Sequence, residues 1–168
     1  VRPFLPLVEK LGRIVTALAA GIPATLEVEV LGEIAEQEVA VLELSALKGL
    51  FTDLSDEPVS YVNAPLLAAE KGVQVSLSAS PDSPDFKNLV RVKGALADGS
   101  LVSVAGTLAG TRQREKIVEV NGFHVDVLLA AHIAFFTYVD RPGVVGYIGN
   151  VMGDAGINIA GMQVSRRG

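Results

Sequence analysis

The chain has no cysteine and no tryptophan, and aromatic residues make up only 5% of it. Without cysteine there can be no disulfide, no thiolate metal site and no cysteine nucleophile. Long apolar runs are missing too. The longest, residues 127–139, is broken by His132 and falls short of the roughly 18 residues of a membrane-spanning helix. Positive charge is in deficit, with 14 Lys and Arg against 19 Asp and Glu for a formal charge of −5, which argues against nonspecific nucleic-acid binding. There is no Gly-x-Ser-x-Gly motif and no spaced His, Asp and Glu set for a metal. The opening, with Pro3, Pro6 and Glu9, does not read as a signal peptide, so a cytoplasmic address is expected.

What remains is a chain that is 49% hydrophobic, dominated by Val, Leu, Ala and Gly. Such a composition suits sheet with closely packed helices, an α+β class. The length of 168 residues suits one domain and part of another. Leu7, Leu11, Ile14 and Leu18 mark an amphipathic helix that Gly21 and Pro23 stop. Residues 25–31 alternate, Leu26, Val28 and Val30 against Glu27 and Glu29, as a half-buried strand does. Residues 38–44 are expected to form another strand, with Ser45 capping a helix whose face is Leu47, Leu50, Phe51 and Leu54. A short helix from Asn63 to Gly72 and a strand from Val73 follow, then a loop with Pro81 and Pro84. Asp98-Gly99 and Asn121-Gly122 are favoured hairpin dipeptides, each joining two strands between residues 88 and 127. A domain boundary is expected around residues 129–132.

Two groups of residues stand out chemically. Residues 133–139 read as a short strand running into Asp140-Arg141-Pro142-Gly143, and residues 156–159 open a second strand. Between them lies a helix whose apolar stripe is Val144, Val145, Ile148, Val151 and Met152. That helix also carries Gly143, Gly146, Gly149 and Gly153, at a cost of about 1 kcal/mol each relative to alanine, so close approach of a partner or ligand is the expected reason for them. The Asp140 carboxylate beside the free first-turn amides of Val144 and Val145 can hold a zwitterion such as an amino acid. The plainer alternative is that Asp-Arg-Pro-Gly is only a turn. In the second group, Arg112, Arg114 and Lys116 share one parity and lead into a hairpin that carries His124. Three cations on one strand face call for an anion, or for acidic neighbours from elsewhere in the fold. With a two-residue turn, His124 falls opposite Glu119.

Three separated stretches, "VRPFLPLVEKLGRIVTALAAG", "SALKGLFTDLSDEPVSYVNAPLLAAEKGV" and "REKIVEVNGFHVDV", resemble the intervening domain of the long, bacterial-type D-3-phosphoglycerate dehydrogenases, nearest to the actinobacterial form. The Asp140 stretch resembles the opening half of an ACT domain, a small amino-acid-sensing module. The resemblance implies an intervening, allosteric substrate- or anion-binding domain over residues 1–131. Residues 132–168 would then be the first half of a ferredoxin-like βαββαβ ACT domain, truncated near the end of its second strand. It implies the regulatory part of an enzyme that oxidises 3-phosphoglycerate to 3-phosphohydroxypyruvate with NAD, the first step of L-serine biosynthesis. L-serine would be contacted by Tyr138, Asp140 and Asn158, with backbone from Gly143, Val144 and Val145. Arg112, Arg114, Lys116 and His124 would receive phosphate or a 3-phosphoglycerate-like anion. No catalytic residue and no metal ligand is expected in this chain, and NAD would be held elsewhere in the parent enzyme, a homotetramer without nucleic-acid or membrane partners. Two other readings stay open: a purely structural oligomerisation module, and the regulatory part of an L-serine dehydratase beta chain, whose serine-rich opening motif the sequence lacks.

Overall fold

A helix beginning at a proline and ending at a left-handed residue opens the computed structural model, which describes residues 1–166. Arg167 and Gly168, the last two residues of the expected second domain, lie outside the described residues. Helix α1 (Leu5–Ala19) has Pro6 in its first turn, where no amide is needed, and stops at Ala20 with φ of 51°. Its Leu7, Val8, Leu11 and Val15 are fully buried. Strand β1 (Thr25–Gly32) alternates as its sequence dictates, with Leu26, Val28 and Val30 in the core. A 3-10 turn at Glu33–Glu36 leads to α2 (Ala40–Thr52) and then α3 (Ala64–Lys71), which closes at Gly72 in the left-handed conformation.

The remaining strands are β2 (Gln74–Ser80), β3 (Asn88–Ala95), β4 (Leu101–Ala109), β5 (Arg114–Val120) and β6 (Phe123–Leu128). They form one six-stranded sheet in the order β2-β1-β3-β4-β5-β6. Only the β1–β2 pair is parallel, as it must be, because α2 and α3 carry the crossover between them. The other pairs are antiparallel, and both hairpin dipeptides turn where the sequence predicts. Asn121 and Gly122 take φ of 50° and 81°, the left-handed pair that this two-residue turn requires. At the other joint Asp98 accepts hydrogen bonds from the hydroxyl and amide of Ser100, which holds its carboxyl below the usual carboxylate range. The α+β class expected from composition is the class observed. α1 and α2 cover one face of the sheet, and the core lies between them and Val28, Val30, Val90, Val92, Val104 and Ile117.

The expected strand at residues 38–44 is not formed: most of that stretch is the first part of α2. Val39, Val41 and Glu43 mimic alternation over too short a span to tell period two from period 3.6. The face that decides the matter is Leu42, Ser45, Ala46, Gly49 and Leu50, which packs on α1. Ser45 is therefore no N-cap. It lies inside the helix, fully buried, and its hydroxyl donates to the carbonyl of Leu5 at 2.6 Å. Thr16 of α1 reciprocates, donating to the carbonyl of Leu50 in α2 at 2.7 Å.

Those two bonds require the helix backbones to be close, and glycine makes them so. A methyl group on Gly12 would lie 2.2 Å from the carbonyl oxygen of Ala46, and one on Gly49 would lie 1.8 Å from that of Glu9. Contacts advance together along both helices, Leu5 with Ser45, Glu9 with Lys48 and Arg13 with Asp53, so the two run in the same direction. Replacing Gly49 with alanine should force the helices apart and cost about 3 kcal/mol or more, read as a lowered urea midpoint. An unchanged midpoint would mean that the crossing is looser than described.

Candidate effector and anion sites

One row of residues crosses the sheet face that the helices leave open. Strand register sets Glu29 opposite Arg91, Arg91 opposite Ala105, Ala105 opposite Glu119, and Glu119 opposite His124. Ala105 is small, so the Arg91 side chain passes over it. Its guanidinium donates to Glu119 through Nε at 3.2 Å and Nη2 at 2.9 Å, and through Nη1 to Glu29. Burial works against the charge on Arg91, but hydrogen bonds to Glu119 and Glu29 outweigh it and raise the pKa above the ordinary arginine value. Lys93 stands between Glu27 at 3.9 Å and Glu29 at 3.6 Å. Nothing in the local sequence marks Arg91, because its partners come from β1 and β5 through register alone.

The residues expected to form an anion site are spread along β5 and not gathered at a point. Arg112 lies in the turn before β5, and Arg114 is the strand's first residue; both are exposed. Lys116 is ion-paired with Asp126 of β6. His124 does lie opposite Glu119, but at the far end of the strand, roughly 17 Å from Arg114 at about 3.3 Å per residue. The register shifts on both sides of β5, which turns the strand sharply there. An acidic neighbour therefore answers Lys116, and the cations with room for an anion are Arg112 and Arg114.

Of the residues expected to contact L-serine, Tyr138, Asp140 and Gly143 precede α4 (Val144–Asp154), Val144 and Val145 open it, and Asn158 follows its far end; α4 is the helix that the apolar stripe predicts. Gly143 takes φ of 90° as its N-cap, and the first-turn amides of Val144 and Val145 have no acceptor within the helix. At the other end, Gly156 is left-handed at φ of 73°, and Ile157 N–H reaches back to the carbonyl of Met152 at 2.9 Å. Tyr138, Gly143 and Val144 line an open cleft of about 540 Å³, together with Val139, Arg141, Pro142 and Tyr147. Asp140 is turned to Arg166, whose Nε lies 2.9 Å from Oδ2. Val145 and Asn158 do not line the cleft. Arg141 and Tyr147 were not among the expected contacts, although Tyr147 stands one helical turn after Gly143.

In two respects this region differs from what its sequence predicts. Residues 133–139 and the stretch after Gly156 are not strands among the described residues, because neither finds a neighbour to complete a ladder. Nor, among the described residues, does anything approach the α4 glycines: a methyl group on Gly143, Gly146, Gly149 or Gly153 would meet none of their atoms within 4 Å. No residue of α4 is buried, and Val139 and Tyr147 are 83% and 71% exposed.

The fold and these sites define a helix-backed α+β domain whose buried polar groups are structural. Among the described residues no group of three or more His, Cys, Asp or Glu could hold a metal ion, and no helix is long and apolar enough to cross a membrane. The spacing Gly146-x-x-Gly149 lies within α4 and not at a strand-to-helix turn, so these residues do not fit a dinucleotide. The chain belongs to the D-3-phosphoglycerate dehydrogenase intervening domain family, whose profile matches residues 1–121. It is 45% identical over 165 residues to the D-3-phosphoglycerate dehydrogenase of Mycobacterium leprae and 46% identical over 165 residues to that of Mycobacterium tuberculosis. A more distant relative is the D-3-phosphoglycerate dehydrogenase of Methanocaldococcus jannaschii, 30% identical over 167 residues. Each comparison covers 98% or 99% of this chain but 31% of the relative.

Arg91 offers a direct test of the row across the sheet. Arg91→Met removes the cation and leaves Glu29 and Glu119 half-buried without it, which should cost about 2 kcal/mol in a chemical denaturation curve. Arg91→Lys keeps the charge but loses the fork that reaches two carboxylates, and should cost about half as much. Equal stability of all three proteins would contradict the network.

Proposed function

We propose that this chain is the regulatory part of a D-3-phosphoglycerate dehydrogenase and that it binds L-serine at the start of α4. The parent enzyme would be a cytoplasmic homotetramer that oxidises 3-phosphoglycerate to 3-phosphohydroxypyruvate with NAD and is inhibited by the end product of its pathway. What supports the reading is an exposed carboxylate, Asp140, shortly before a helix start whose first amides have no acceptor within the helix; Asp140 pairs with Arg166, a place the ligand's ammonium would take. A free amino acid presents complementary charges: its ammonium suits Asp140, and its carboxylate suits the Val144 and Val145 amides. Tyr138 and Asn158 add a hydroxyl and an amide able to answer the serine side chain. Family membership and likeness along the whole chain to three dehydrogenases support the same reading.

The open face of α4 also fits this proposal. Two such half-sites facing one another would cover the glycine-lined helix and the apolar residues now exposed, such as Val145 and Val151. Serine binding there would shift the catalytic portion through the intervening domain, with coupling of about 1–3 kcal/mol. Arg112 and Arg114 would receive a phosphate-bearing anion as a second, weaker input.

The test is serine inhibition of the dehydrogenase that contains this chain. Asp140→Ala removes a charge-assisted hydrogen bond and should raise the half-inhibiting serine concentration at least about tenfold. Assembly, followed by sedimentation, should not change. Wild-type inhibition in the variant would contradict the effector site and favour a purely structural role.

A further inference from the structure

The two edges of the sheet are finished differently. The β6 edge is blunted by the chain itself: the amide of Asp126 donates to Gln163 Oε1 at 2.7 Å, and the Ser165 hydroxyl donates to the carbonyl of His124 at 2.6 Å. That strand also carries two titratable side chains, His124 and Asp126, and a register shift. The β2 edge has none of these devices. Gln74–Ser80 contains no charge, no proline and no glycine, and it pairs with β1 from Thr25↔Gln74 to Leu31↔Ser80 without a shift. An edge so regular and so undefended is a template for another strand.

Which groups that edge offers follows from one hydrogen bond. The Gln74 amide donates to the carbonyl of Ala24 at 3.0 Å, on the β1 side. Backbone groups alternate sides along a strand, so Ser76, Ser78 and Ser80 also face β1. Val75, Leu77 and Ala79 then direct their N–H and C=O groups outward. The sequence around Leu77 has the same pattern in both directions: Val75-Ser76-Leu77-Ser78-Ala79, with a small apolar residue, serine, leucine, serine and a small apolar residue.

We propose that β2 is a self-docking edge, at which a second copy of this chain adds its own β2 antiparallel across a two-fold axis at Leu77. The polarity of the backbone and the symmetry of the sequence select the same centre independently. With the axis there, Leu77 pairs with its counterpart and Val75 with Ala79 of the second copy. All three are hydrogen-bonded pairs, giving about six backbone bonds, and no outward group in this stretch is left over. Val75 and Leu77 already pack against the core, so the new pairs extend it. On the other face, Ser76 stands opposite Ser78 of the second copy, where each hydroxyl can both donate and accept. A slip of one residue would aim groups already bonded to β1 at the new strand. The result is one continuous sheet through both copies.

Residue-resolved amide exchange on the intact chain, dilute and concentrated, tests the register. The amides of Val75, Leu77 and Ala79 should exchange at least about tenfold more slowly in the concentrated sample, while those of Ser76 and Ser78 stay protected by β1 throughout. Ser76 and Ser78 are exposed but stand opposite Glu27 and Glu29 of β1, so circular dichroism first checks that each charged variant keeps the monomer fold. The S76K/S78K variant sets lysine opposite lysine in both pairs and should weaken association about tenfold in sedimentation velocity. The S76K/S78E variant sets lysine opposite glutamate and should restore it. Exchange at Val75, Leu77 and Ala79 that ignores concentration, or equal association of the two variants, overturns the proposal. Association through α4 alone would give that overturning result.

Discussion

The contact on which this fold depends is the one between α1 and α2 at Gly12 and Gly49. Each glycine lies against a carbonyl oxygen of the other helix, at distances where no β-carbon fits. That closeness lets Thr16 and Ser45 donate across the interface, so two buried hydroxyls are satisfied by backbone carbonyls. α1 is also drawn down onto the sheet at Gly106, where an added methyl group would lie 3.0 Å from Leu7. Pinned on two sides by absent side chains, α1 brings Leu7, Leu11 and Val15 over the centre of the sheet. The sheet's strand positions, and with them the polar row on the opposite face, are held from there.

The six strands of the sheet and their turns are legible because their sequence signals are local. Alternation in residues 25–31, Asp98-Gly99 and Asn121-Gly122 each act over a few residues and nothing distant opposes them. The start of α2 is not legible locally, because its identity is decided by Gly12, far away in the chain, and a small-residue face does not register as a hydrophobic stripe. Arg91 is inconspicuous in the sequence for a related reason. Its partners Glu29 and Glu119 are fixed by strand order, and the alanine that lets them meet looks like any other core residue. His124 opposite Glu119 could be read off because a two-residue turn fixes that register by itself. At the proposed effector site the helix start is legible in the sequence, whereas the ion pair between Asp140 and Arg166 depends on how the segment after α4 returns.

Two parts of the chain thus differ in kind. Through Leu128, the charges of the central strands are paired and most apolar residues of the sheet pack into the core. From Phe135 onward, among the described residues, apolar side chains such as Phe136, Val139 and Tyr147 and a glycine-lined helix are exposed around an open cleft. On the proposed function, a packed platform carrying an incompletely covered surface is what a regulatory domain requires, since only a surface whose cover can change can report a ligand. Glycine therefore has two uses here. At Gly12 and Gly49 it is filled by a neighbouring backbone, and along α4 it keeps a face clear.

The most direct test of this account is a two-dimensional amide NMR titration of the chain with L-serine. The account predicts shifts confined to Tyr138 through Val145 and around Asn158, with the platform through Leu128 unmoved. Dispersed α4 resonances that do not respond to serine would contradict it, leaving a folded surface with a structural task only.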